Sequence, residues 1–197
     1  MTGPIKHIGW IIALLFGMLA PAWADFEKGA SAYERGDYET ALHKFQRLAG
    51  KGDRKAQYKL GEMYLKGQGV QKDFREAAKW FQQAAGQGYA PAQSNLGVMY
   101  EKGNGAPQDD KEAAKWFRQA AEQGYAPAQG NLGVMYKQGL GIPTDPIQAY
   151  MWFDLAAKQG DRKALINRSR VADQMTAAQI VEAQRLAREW KPSQPGK

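Results

Sequence analysis

Residues 88–100 read GYAPAQSNLGVMY, and residues 124–136 read GYAPAQGNLGVMY. One letter differs between two phrases set 36 residues apart. An active site is usually written once in a chain, whereas a building unit recurs. Aligning the chain on itself at that spacing gives three copies. They are LGEMYLKGQGVQKDFREAAKWFQQAAGQG from Leu60, LGVMYEKGNGAPQDDKEAAKWFRQAAEQG from Leu96 and LGVMYKQGLGIPTDPIQAYMWFDLAAKQG from Leu132. A shorter copy precedes them, with Gly29, Tyr33, Gly36, Ala41 and Phe45 matching Gly61, Tyr64, Gly67, Ala77 and Phe81. Self-similarity at this period, with atypical end units, marks a solenoid whose neighbouring units share one continuous core.

Each unit reads as two helices, so the fold class is all-α. Ala92, Leu96 and Tyr100 recur every four residues, one apolar stripe of a helix. Pro91 falls in the first turn, where its missing N–H is harmless. Gly97 inside that helix costs roughly 1 kcal/mol against alanine. Its presence in every copy predicts the close approach of a neighbouring helix. A Gly-rich loop, residues 103–107, ends the first helix. Asp109 then starts the second, with Glu112 completing a capping box, as Asp73 does with Glu76. Asp145-Pro146 is a cap followed by a first-turn proline. Ala113, Phe117 and Ala120 form the buried stripe of the second helix, which stops at Gly124. Trp116 lies at the edge of that stripe and is expected to be half-exposed. Met63, Met99 and Met135 share one position beside the leucines and read as core.

The two ends differ from the middle. Lys6 precedes an apolar run from Ile8 to Leu19, and Ala22-Trp23-Ala24 forms a small-x-small site before Asp25. That order predicts a secretory signal over residues 1–24, cleaved after Ala24, and a periplasmic or secreted product. Residues 25–59 form the short, atypical first unit, and residues 60–160 the three full repeats. Over residues 161–191 the pattern decays: Arg168, Ser169 and Ala172 stand where Leu, Gly and Tyr are due. Thr176 with Gln179 forms a capping box, and Ile180, Ala183, Leu186, Ala187 and Trp190 give a last apolar stripe. This is a capping lid, required because a terminal unit would otherwise expose half a core. Residues 192–197 are expected to be a disordered tail.

These units resemble Sel-one-like repeats, the SLR branch of the tetratricopeptide-like superfamily. The shared pattern is A-x-x-x-L-G-x-x-Y-x-x-G-x-G followed by D-x-x-x-A-x-x-W-[FY]-x-x-A-A-x-x-G, and it covers about residues 29–160. The resemblance implies an α/α superhelix used as a protein-binding scaffold, often in bacterial envelope and signalling assemblies, with no common catalytic set. It also implies that the first helix of each pair lines the concave surface.

Catalytic chemistry finds little to work with. There is no cysteine, hence no thiol nucleophile or thiolate metal site. Beyond the leader the one imidazole is His43, on an outward position with no recurring carboxylate pair. No cofactor, no metal site and no enzymatic activity are expected. The paired glycines Gly67/Gly69, Gly103/Gly105 and Gly139/Gly141 precede helices, but Asp73, Asp109 and Asp145 occupy those helix starts and would repel a phosphate. The net charge is +7. Residues 158–197 hold 9 basic and 4 acidic side chains, whereas 56–157 hold 10 of each. The excess therefore sits in the lid, at Lys158, Arg162, Lys163, Arg168, Arg170, Arg185, Arg188 and Lys191. Export argues against nucleic acid as the partner.

Positions that vary between otherwise near-identical copies can specify a partner. In the first helices these are Tyr58, Ser94 and Gly130; Glu62, Val98 and Val134; and Leu65, Glu101 and Lys137. At 100° per residue they fall opposite the Ala92–Leu96–Tyr100 stripe, with no core role for their apolar members. The sequence therefore points to an exported, non-catalytic scaffold binding a protein or peptide in a concave groove lined by these nine residues. The alternatives are an enzyme or enzyme accessory of envelope metabolism, and a protein meeting anionic lipid or an acidic partner through its basic lid.

Overall fold

The computed structural model describes residues 23–193. Most of the proposed leader and residues 194–197 of the tail lie outside them. The described residues form helices only. These are α1 (residues 23–34), α2 (Tyr38–Ala49), α3 (Arg54–Lys66), α4 (Phe74–Gly86), α5 (Ala90–Lys102), α6 (Asp110–Glu122), α7 (Ala126–Gln138), α8 (Pro146–Lys158), α9 (Arg162–Ala172) and α10 (Ala177–Glu189). Each first helix of a full unit packs on its own second helix and on the second helix of the unit before. The helix starts place the unit boundaries at residues 54, 90 and 126, six residues ahead of the leucines that reveal the period.

One phenylalanine per unit anchors the core. Phe45, Phe81, Phe117 and Phe153 are all fully buried. Each lies against a helical glycine: a Cβ on Gly61, Gly97 or Gly133 would stand 2.5, 2.7 and 2.7 Å from the ring of Phe81, Phe117 and Phe153. The mid-helix glycines thus do admit a neighbouring helix, and its contact atom is an aromatic ring. Met63, Met99 and Met135 are buried, as expected.

The Gly-x-Gly loops join successive units. A Cβ on Gly105 would lie 2.1 Å from the Phe74 carbonyl oxygen, and one on Gly141 2.2 Å from that of Asp110. Each loop therefore rests on the first residue of the preceding unit's second helix. Asp73, Asp109 and Asp145 cap as expected, accepting from the two N–H groups of the first turn. The reciprocal half of the capping box at Glu76 and Glu112 is not formed. The backbone N–H groups of Asp73 and Asp109 are already bonded to the carbonyls of Tyr64 and Tyr100. Glu76 and Glu112 pair instead with Lys79 and Lys115. The Thr176–Gln179 box closes in both directions.

A second device was not anticipated. Gln93 is buried, donates to the Ala85 carbonyl (3.2 Å) and accepts from Gln123 (2.7 Å). Gln57 and Gln129 repeat the arrangement with Ala49 and Gln87, and with Ala121 and Gln159. Each clasp ties one first helix to the ends of two second helices, adding a side-chain donor to a carbonyl that already accepts from the N–H three residues on.

The lid departs from the repeat geometry. α10 does not pair with α9; it lies across α8. Trp190 meets Trp152 edge-to-face at 6.0 Å, and Ser193 donates its N–H to the Glu122 carbonyl. Residues 192 and 193 of the expected tail are thus docked. Trp80 and Trp116 are half-buried as expected, whereas Trp152 is buried because α10 covers it. Asp154, also buried, takes both Lys158 (2.7 Å) and Arg168 (2.5 Å), and Arg185 is held by Glu182 and Glu189. Three of the lid's eight cations are therefore neutralised within it.

Candidate functional site

The first helices are enclosed on two sides, and this narrows the sector each leaves open. In α5, Gln93, Ser94, Leu96 and Gly97 are all buried, while Asn95 and Val98 are half-buried and Lys102 is exposed. The open line of each first helix therefore runs through Lys59, Glu62 and Lys66 in α3, through Asn95, Val98 and Lys102 in α5, and through Asn131, Val134 and Gln138 in α7. It is rotated from the line expected from helical periodicity. Of the nine expected residues, Glu62, Val98 and Val134 fall on it. Leu65, Glu101 and Lys137 are half-buried at its edge. Tyr58 and Gly130 are half-buried on the inward side, and Ser94 is buried. Tyr58 packs its ring, tilted by 46°, against Phe81 of its own unit at 5.7 Å. Leu65, Val98 and Val134 likewise pack against the core, so the apolar members of the set do have a structural role. The periodicity argument counted one packed face where the stack provides two.

At the N-terminal end these positions converge. Tyr58 meets Tyr89 edge-to-face at 5.3 Å, and Arg54 lies 5.9 Å over the Tyr89 ring. Lys59 sits over both Tyr33 (5.4 Å) and Tyr58 (5.8 Å) and binds Glu62 at 2.8 Å. Lys66 reaches Glu62 at 3.6 Å and donates to the Tyr33 hydroxyl at 3.3 Å. Burial, followed by the Glu62 carboxylate, pushes the Tyr58 phenol well above its ordinary value. Burial and Glu62 also raise Tyr125, the residue before α7.

Tyr89 and Tyr125 were missed at the sequence level, though a signal was present. Both occupy the position before the first helix that Asp53 and Asp161 fill in the units on either side. Those aspartates cap their helices through side-chain hydrogen bonds, and the tyrosines do not. Forgoing a cap costs roughly 0.5–2 kcal/mol. Both rings are half-buried against the core, so packing offsets part of that cost. Asn95 and Asn131, at the position of Lys59, add half-buried amides along the open line. Between α7 and α9 a cleft of about 110 Å³ is lined by Gly130, Asn131, Val134, Lys163 and Asn167 among others.

The sequence-level candidates for other chemistry stay apart. His43 is exposed on α2. Among the described residues no group of three or more His, Asp or Glu side chains is placed to hold a metal ion, and no helix is long and apolar enough to cross a membrane.

Comparison with known proteins agrees with this architecture. The family model described as Sel1 repeat matches residues 54–89, 90–125 and 126–161, the units that the helix boundaries define. No curated protein matches the chain. Among solved structures, that of a Sel1 repeat protein from Oxalobacter formigenes is 36% identical with a TM-score of 0.72; the match covers 76% of this chain and 61% of that one. A protective antigen present in uropathogenic Escherichia coli strains, displaying an SLR fold, is 30% identical with a TM-score of 0.61; it covers 86% of this chain and 45% of that one. The chain thus spans less than two thirds of either relative.

Proposed function

The chain belongs to the Sel1 repeat family, whose members are generally protein-interaction scaffolds, and from that premise we propose that it binds a protein or peptide along the concave line of its first helices. The observation that carries the reading is the cluster of Tyr58 and Tyr89 with Arg54, Lys59, Glu62 and Lys66, whose Tyr89 position Tyr125 repeats one unit on. Two of these tyrosines replace helix caps, and half-buried aromatic rings beside charged groups are the usual anchors of a protein interface. The Sel1 fold is typically non-enzymatic, consistent with a scaffold role. The leader-like N-terminus supports action outside the cytoplasm, in the periplasm or beyond.

The test places a photo-reactive residue at Val98 on the groove and, separately, at Lys79 on the exposed outer face of α4. The groove position is expected to capture a discrete partner from an envelope fraction. Tyr89→Ser with Tyr125→Ser should cut that capture at least tenfold with an unchanged helical spectrum. Arg75, Lys79 and Gln82 changed together to alanine should not. Capture lost in the outer-face variant but kept in the groove variant would refute the groove.

A further inference from the structure

α9 is a first helix without its second. In α5 the stripe Ala90, Gln93, Ser94, Gly97 and Val98 is buried or half-buried, and Gly97 receives the Phe117 ring of α6. The same holds for Gly61 with Phe81 and for Gly133 with Phe153. The equivalent stripe of α9 is Arg162, Leu165, Ile166, Ser169 and Arg170, and every one of these is exposed. Leu165 and Ile166 remain 46% and 53% accessible. The reason is topological: α10, which should have covered this face, lies on α8 instead.

What the stripe would receive can be read from its residues. Ser169 stands where the glycines stand, and its Cβ keeps an incoming helix further out than the glycines allow. Leu165 replaces the clasp glutamine and Ile166 a small or aromatic residue, so the centre is apolar. Arg162 and Arg170 close the two ends, and neither is paired with a carboxylate among the described residues, whereas Arg168 and Arg185 are. We propose that this face of α9 docks an acidic amphipathic helix of a partner protein, laid along α9 as α4, α6 and α8 lie along their own first helices but at a wider separation. A large apolar side chain would rest over Leu165 and Ile166, and carboxylates would meet Arg162 and Arg170. Helix-in-groove recognition of this kind uses anchors at helical spacing, with charge fixing partner and orientation. A second copy apposed through the same face would bring like charges together. The surface is separate from the tyrosine cluster, so the two readings stand or fall apart.

The probe is a synthetic peptide with the α6 sequence, residues 110–122, carrying Lys111→Glu, Lys115→Glu and Arg118→Glu; the unaltered α6 peptide is its comparator. With the full chain, fluorescence anisotropy should show at least tenfold tighter binding of the acidic peptide, weakened by salt. Leu165→Asp with Ile166→Asp should lower its affinity at least tenfold, as should Phe117→Ala in the peptide. Should the apolar double variant lose helicity, Arg170→Glu gives the second route: it should weaken the acidic peptide and leave the comparator no weaker. Equal binding of the two peptides overturns the proposal, and so does acidic-peptide binding that ignores every α9 substitution. Concentration-dependent self-association in sedimentation, or retention on phosphatidylglycerol vesicles, abolished by the α9 variants while the peptide does not discriminate, would assign the face to a second copy or to a membrane and equally overturn it.

Discussion

Gly36 and Gly105 have nearly the same backbone, φ +79° and +78°, yet only one of them touches another unit. This makes the pair a measure of how firmly successive units are joined. A left-handed residue other than glycine costs about 1–2 kcal/mol, offset by about 0.4–1 kcal/mol of lost freedom in the unfolded chain. Gly36→Ala meets nothing within 4 Å and should cost only that difference, at most about 1.5 kcal/mol. Gly105→Ala would place its Cβ 2.1 Å from the Phe74 carbonyl oxygen. To reach even a close carbon–oxygen contact of ~3.3 Å the loop must retreat by about 1.2 Å. A gap of that size forfeits much of the dispersion between the faces it separates, and no side-chain rotation relieves it because the obstacle is backbone. Overpacking of this sort adds about 1–3 kcal/mol or more. At ~2–4 °C per kcal/mol for a chain of this size, Gly105→Ala should melt about 2–12 °C below Gly36→Ala. Circular dichroism melts of the two variants check this, and hydrogen exchange should place the new opening at the α4–α5 junction. Equal melting temperatures would refute the claim that the Gly-x-Gly loop is an inter-unit joint.

Three further outcomes are expected. Gln93→Ala removes one of two donors to the Ala85 carbonyl and one of two acceptors of Gln123, and should destabilise the chain by about 0.5–1.5 kcal/mol in urea unfolding. The Tyr58 phenol is raised from its ordinary value of 10, so the folded form keeps a proton that the unfolded form loses; stability should be intact below pH 10 and fall as pH rises beyond it, and Tyr58→Phe should flatten that fall in alkaline denaturation curves. Exported protein should begin at Asp25, and an intact mass retaining residues 1–24 would contradict the proposed processing.

The repeat, its period and the helix pair were legible because each unit writes the same local rules three times. Proline in the first turn, aspartate at the second start, glycine at the ends and a four-residue apolar spacing are properties of single helices and need no partner to be read. The contact made by Gly97 was legible too, since a helix bears such a cost only for a close neighbour. The open face was not. Its direction depends on how many sides of a first helix are covered, and that is fixed by α4 and α6 together, not by α5. Hence Ser94 reads as surface in the sequence and is buried in the structure, while Tyr89 and Tyr125, which look like linker residues, pack half-buried against the core. The lid shows the same division. Its caps and its charge can be read from Thr176 onward, but nothing local says that α10 will lie on α8 and leave Leu165 and Ile166 bare. Local spacing determined the units; the competition among helices for apolar surface, settled only when all of them pack, decided which faces remained free.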